Sequence, residues 1–186
     1  ASCTGLPFSF SITVRPPLVV KEELSNYSGF GVSCAGAADG KIKLELSGGV
    51  LPGEEPSYRY SWTGPEVFVS TAANLEGLNA GLYRLQVSTG MGNCLLEKSM
   101  LLTQPERLQI SQSQVANLCY QGKAGSISIR VSGGNAPYSY AWTGPNGFTS
   151  TSENLQNLAS GSYQVRVTDA NGCTIAGAAQ RSLNLQ

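Results

Sequence analysis

The sequence predicts an all-β chain built from two antiparallel β-sandwiches in tandem. Three observations carry that prediction: a long phrase is written twice, apolar residues alternate with a period of two, and Gly, Pro and Asn turn pairs punctuate the alternation. "YRYSWTGP" at residues 58–65 returns as "YSYAWTGP" at 138–145. A catalytic site is rarely needed twice at a fixed interval, whereas a structural module often is.

The elements follow in chain order. "ASCTGLPFSFSITVRPPLVV" at the start matches "GNCLLEKSMLLTQPERLQI" from Gly92: a Cys, a strand-like run, a Pro, then a second apolar alternation. Residues 1–15 therefore read as the remnant last strand of a preceding repeat. The alternative is a strand, Phe8 to Val14, that completes another subunit's sheet. Repeat 1 is expected over residues 16–104 and repeat 2 over 105–186, joined by "TQPERL", whose Pro105 should limit bending.

Each repeat then opens with a cysteine and a strand. "CAGAADGKIKLELSGG" from Cys34 matches "CYQGKAGSISIRVSGG" from Cys119. Ile42, Leu44 and Leu46 share one face of the first strand, as Ile127, Ile129 and Val131 do of the second. The Gly-Gly turn leads to the one large difference, where "VLPGEEPS" (Val50, Leu51, Pro52, Gly53, Glu54, Glu55, Pro56, Ser57) faces "NAP" in repeat 2. Loops absorb such insertions at little cost and also carry recognition, so residues 50–55 are the candidate partner-binding loop.

The duplicated phrase comes next. Tyr58, Tyr60 and Trp62 fall on one face, as do Tyr138, Tyr140 and Trp142, and Gly-Pro ends both strands. From Phe68, "FVSTAANLEGLNAGLYRLQVSTGMGNC" is answered by "FTSTSENLQNLASGSYQVRVTDANGC" from Phe148. A Trp buried on the third strand, followed by Leu, a Gly turn and a strand-opening Tyr, is the pattern of an immunoglobulin-like sandwich with a tyrosine corner. Trp62, Trp142, Tyr83 and Tyr163 are thus expected in the two cores, in sandwiches of the PKD or fibronectin type III kind. Read as a sugar platform instead, the Tyr-Tyr-Trp stripe would have to face outward, against its periodicity.

Five cysteines and no histidine are present. They stand before the first strong strand (Cys34, Cys119) and after the last Tyr-led strand (Cys94, Cys173, and Cys3 of the remnant). With neither CxxC pairs nor histidine, disulfides in an oxidising compartment are a better reading than metal ligation. Pairing within repeats, Cys34 with Cys94 and Cys119 with Cys173, is the expectation, leaving Cys3 unpaired in this segment. If the first cysteine lies between the first two strands, however, a sandwich places it at the opposite end from the second. A bond across the junction between neighbouring repeats is then the alternative.

Composition narrows the function. Formal net charge is zero with no basic tract, so neither nucleic acid nor an anionic membrane is an expected partner. No run reaches the ~18 apolar residues of a membrane span, and any export signal lies outside this segment. Without histidine the usual general base is missing, and no carboxylate pair has a fixed spacing, so no catalytic residue, metal or cofactor is expected. Asp39, Asp169 and Asn171 are oxygen-bearing, but each loop has too few such groups for calcium. The equivalents also fail to match, Asp39 facing Ala124 and Asp169, counted back from the closing cysteines, facing Gly90. They read as turn formers.

The run from a cysteine through a strand ending in Gly-Gly, then "PYSYAW", "NLQNLASGSY" and "VRVTDANGC", resembles the SprB-type repeat. These immunoglobulin- or PKD-like modules occur in tandem in very large surface proteins of gliding Bacteroidetes. The resemblance covers both copies, the second best; the first has "STGMGN" for "TDANG". It implies export by the type IX route, an extracellular or cell-surface location, and a role in adhesion or filament building. The expected function is a non-enzymatic stalk or filament segment of a large surface adhesin, with neighbouring repeats as its first partners. The alternative is a module that itself binds surface polysaccharide or another surface protein.

Overall fold

The computed structural model describes residues 10–51, 53–90, 94–116, 125–175 and 181–185, with 111–116 and 181–185 as backbone. Among these described residues each sequence copy supplies seven strands. The first copy supplies β1 (Val19–Leu24), β2 (Gly40–Ser47), β3 (Tyr58–Thr63), β4 (Val69–Ser70), β5 (Leu75–Leu78), β6 (Gly81–Thr89) and β7 (Leu95–Leu102). The second supplies β8 (Gln109–Ala116), β9 (Gly125–Ser132), β10 (Ser139–Thr143), β11 (Thr149–Ser150), β12 (Leu155–Leu158), β13 (Gly161–Thr168) and β14 (Arg181–Leu185). Each set forms a three-stranded and a four-stranded sheet: β1-β2-β5 with β4-β3-β6-β7, and β8-β9-β12 with β11-β10-β13-β14. Among the described residues no helix is long and apolar enough to cross a membrane.

Period-two patterning decides which faces are buried. In the second copy Ile127, Ile129, Leu155 and Leu158 from one sheet meet Trp142, Tyr163, Val165 and Val167 from the other, forming one core with Leu108. This is an antiparallel β-sandwich. The matched residues of the first copy, Ile42, Trp62, Leu75, Leu78, Tyr83, Leu85 and Val87, are likewise buried. Register supports the match: Trp62 stands opposite Leu85, and Trp142 opposite Val165.

Polar contacts repeat with the strands. Both indoles are 1% exposed. Each donates its N–H to a backbone carbonyl, Trp62 to Ala72 at 2.9 Å and Trp142 to Ser152 at 2.8 Å. A buried indole needs such a partner. The repeated asparagines act alike, Asn74 accepting from the Leu44 N–H at 2.9 Å and Asn154 from the Ile129 N–H at 3.1 Å. Tyr163 donates to the Ala159 carbonyl at 3.0 Å, the bond of a tyrosine corner. Phe148 packs edge-on against Tyr163, and Phe68 against Tyr83, at 5.3 and 5.4 Å between centroids. Gly48 and Gly133 open matched turns at positive φ, +79° and +71°; a Cβ there would lie 2.0 and 2.1 Å from the carbonyls of Pro17 and Arg107. No other residue fits.

By packing, the chain divides into two compact units. One comprises the described parts of Ala1–Glu23, Lys43–Asn74 and Tyr83–Met100; the other comprises those of Leu24–Ile42, Leu75–Leu82 and Leu101–Gln186. The second unit thus contains the whole second sandwich together with two segments of the first sequence copy. That composition directs attention to residues 24–42.

Candidate functional site

The site is the place in the second unit where a loop of the first copy meets a turn of the second. The loop, between β1 and β2, is tightly built. Tyr27 and Phe30 exchange backbone hydrogen bonds at 2.8 and 3.2 Å. Asn26 accepts from the Gly29 N–H at 2.7 Å, as Asn does in turns, with Ser28 and Gly29 at positive φ. The Asp39 carboxylate accepts from the Ser33 N–H at 3.0 Å, and the Tyr27 hydroxyl donates to the Asp39 carbonyl at 3.2 Å. The N–H groups of Gly31 and Val32 both donate to the Thr103 carbonyl, and that of Gly36 to the Gln104 side chain at 2.8 Å. Cys34 is therefore presented from a loop fixed at both ends.

The facing turn, Asp169 to Cys173, is organised by one carboxylate. Asp169 is 5% exposed. One of its oxygens accepts from the N–H groups of Asn171 (2.9 Å) and Cys173 (2.8 Å), the other from that of Asn135 (2.9 Å). Both oxygens thus serve backbone donors, and among the described residues no group of three metal-ligating side chains occurs. Asn171 projects from the turn to the loop. Its amide donates to the carbonyls of Ser33 (3.1 Å) and Tyr27 (3.4 Å) and its oxygen accepts from the Ser28 hydroxyl (3.3 Å).

A disulfide joins Cys34 to Cys173, with Cα atoms 5.7 Å apart and a sequence separation of 139. This corrects the within-repeat expectation of Cys34 with Cys94 and Cys119 with Cys173. The reason is topological: Cys34 sits between the first two strands of its repeat, and Cys94 between the last two, and a sandwich puts those connections at opposite ends. The alternative across the junction is the bond that forms. Cys94 carries a free thiol. Cys3 and Cys119 lie outside the described residues.

The structure also revises the turn alignment. Asp169 and Thr89 are both buried polar residues, and each donates its N–H to the carbonyl of the cysteine after the turn, Thr89 to Cys94 at 3.2 Å and Asp169 to Cys173 at 3.0 Å. Asp169 therefore corresponds to Thr89 rather than Gly90, the turn of the first copy being one residue longer. Asn171, first met as a turn former, bonds a loop 138 positions upstream. No local sequence signal marks that role.

The other candidate residues are placed as follows. In the inserted loop, Pro52 lies outside the described residues, Val50 and Leu51 are half-buried, and Gly53, Glu54 and Glu55 are exposed. Glu54 accepts from the Leu51 N–H at 3.0 Å and from Arg15 at 2.6 Å; these contacts, the backbone one first, hold its carboxyl below the usual glutamate range. Trp62 and Trp142 offer no open ring face to a ligand. Tyr60 and Tyr140 have their phenols pushed up, chiefly by burial.

Comparison with curated proteins found no match. Among solved structures, a similar one is "Three N-terminal domains of the bacteriophage RB49 Highly Immunogenic Outer Capsid protein (Hoc)". Its TM-score is 0.46 at 14% identity, over 90% of this chain and 57% of that one, so this chain spans little more than half its length. The family model described as "SprB repeat" matches residues 32–67 and 111–147, one stretch in each copy. Over these stretches both copies are similar to the SprB repeat.

Proposed function

We propose that the chain is a non-enzymatic stalk or filament segment of a large bacterial cell-surface adhesin, akin to gliding-motility adhesins and exported by the type IX route. SprB repeats are structural repeats of adhesin-type surface proteins. The single observation that carries the reading is the Cys34–Cys173 disulfide, which covalently ties one repeat to the next. A module that worked alone would gain nothing from that bond. A module that transmits load gains a junction that resists parting when the chain is pulled. The bond also suits an oxidising, extracellular setting. Partners on this reading are neighbouring repeats, while ligand capture belongs to other parts of the parent protein.

A polysaccharide and glycan array, probed with the oxidised chain and with a variant whose residues 50–57 are shortened to Asn-Ala-Pro, tests the reading. A stalk segment is expected to bind nothing above background in either form. Saturable binding that disappears with the loop would replace the stalk by a module that grips polysaccharide itself.

A further inference from the structure

We propose that Cys94 is the receiving half of a second cross-repeat disulfide, whose donating half is the first cysteine of another SprB-type module placed N-terminal to repeat 1. The chain itself supplies the pairing rule. A cysteine between the first two strands of one repeat bonds the cysteine between the last two strands of the next, as Cys34 bonds Cys173. Cys94 occupies the place of Cys173. It follows β6 as Cys173 follows β13, and its carbonyl takes the same turn-closing hydrogen bond, from Thr89 at 3.2 Å against Asp169 at 3.0 Å. It is half-buried with its thiol free.

A second, independent observation points to the same neighbour. The Gly49 N–H donates to the Pro16 carbonyl at 2.9 Å, just as the Gly134 N–H donates to the Glu106 carbonyl at 2.7 Å. Pro16 therefore holds the place of Glu106, which sets Phe10 and Ile12 at the places of Met100 and Leu102 in β7. Met100 and Leu102 are 3% and 1% exposed, but Phe10 and Ile12 are 92% and 88% exposed. By that match residues 10–14 hold the apolar positions of a last strand, yet among the described residues they form no strand and pair with no sheet. The occupant that fits is a sandwich of this same repeat, and its first cysteine is the one the rule assigns to Cys94. The two features together describe one docking partner.

The bond forms by exchange with a small-molecule disulfide such as glutathione disulfide. One thiolate opens that disulfide to a mixed disulfide and releases one small thiol. The second thiolate displaces the other small thiol, so one S–S bond breaks, one forms, and two protons leave with the products. The inference rests on the pairing rule rather than on the stalk reading, and its failure would leave that reading untouched.

The test uses the chain itself, since Cys119 matches Cys34 in sequence and each copy therefore supplies a first cysteine. Reduced chain is equilibrated with glutathione and its disulfide, then run on non-reducing gels and digested for disulfide mapping. The expected result is a thiol-reversible ladder of chains joined Cys94 to Cys119, with Cys34–Cys173 intact in every member. Mixing Cys94→Ser with Cys119→Ser chains should give a two-chain species and nothing longer. Linkage of Cys94 to Cys3 or to another Cys94 would overturn the proposal. A second form removes dependence on encounter: the chain with an extra copy of residues 16–104 inserted after residue 104 places a first cysteine one repeat upstream of a Cys94. A Cys34–Cys94 cystine between the two copies is expected there, and a Cys94 thiol recovered alkylated in the inserted copy would overturn the proposal.

Discussion

Asp169 accepts three backbone N–H groups from a position closed to solvent, so its loss should be felt well beyond one contact. An unpaired buried donor costs about 1–3 kcal/mol, so Asp169→Ala is expected to lower unfolding stability by about 3–5 kcal/mol, read from urea denaturation. Asn171→Ala should cost about 1 kcal/mol and leave the sandwich itself intact, because its amide serves the joint and not the core. Equal losses from the two substitutions would contradict this division of roles between carboxylate and amide. At Glu22 the ion pair with Lys98 holds the carboxyl below its usual range, against a smaller opposing effect of burial. A depressed folded-state pKa stabilises the fold above the ordinary glutamate value, and the benefit fades as pH falls through the folded value. Both side chains are about one-third exposed, so the effect should stay under about 1 kcal/mol. It should vanish in Lys98→Met, which would flatten that part of the acid limb of a stability-versus-pH curve.

Among the elements, the β3–β4 and β10–β11 hairpins give the cleanest internal comparison. Both close with a Phe N–H to a Pro carbonyl, and both place their two central residues at positive φ. Such turns favour Asn-Gly, and the second copy has Asn146–Gly147. The first has Glu66 at +51° and Val67 at +58°, the second of these a β-branched residue that resists that region. Val67 is 94% exposed, so no packing compensates. Replacing Glu66–Val67 by Asn–Gly should stabilise the first repeat by about 1–2 kcal/mol, and an unchanged denaturation midpoint would show the strain to be absent. Strands, turns and the buried Trp–Tyr framework were legible in the sequence because each is written in local period, spacing or a repeated phrase. The match of Asp169 to Thr89 was missed by counting back from Cys173 and Cys94 across turns that differ by one residue; the offset of 80 that sets Tyr163 on Tyr83 gives it directly. The Asn171 contacts were hidden for a different reason: nothing near Asn171 in sequence reports what lies opposite it in space.

For the molecule as a whole, the cysteine pairing is the part that sequence reasoning reached only as an alternative. Placing Cys34 and Cys94 at opposite ends of one sandwich requires the strand order, and choosing Cys173 requires the neighbouring repeat as well. Pairing within a repeat would have made each module a self-sufficient unit. Pairing across the junction makes stability a shared property, because a bond spanning 139 of 186 positions limits the unfolded state of parts of both copies. In the chain-entropy account a loop of that size is worth about 4–5 kcal/mol, so Cys34→Ser should lower stability by about 2–4 kcal/mol once strain and residual structure are allowed for. The first measurement to make is single-molecule extension of the chain held by its two ends, with and without reductant. If the joint holds, the residues between Cys34 and Cys173 stay out of the extended length until the bond is reduced, and reduction then releases roughly 450–500 Å. The same full extension in oxidised and reduced chains would contradict the joint, and with it the stalk built on it.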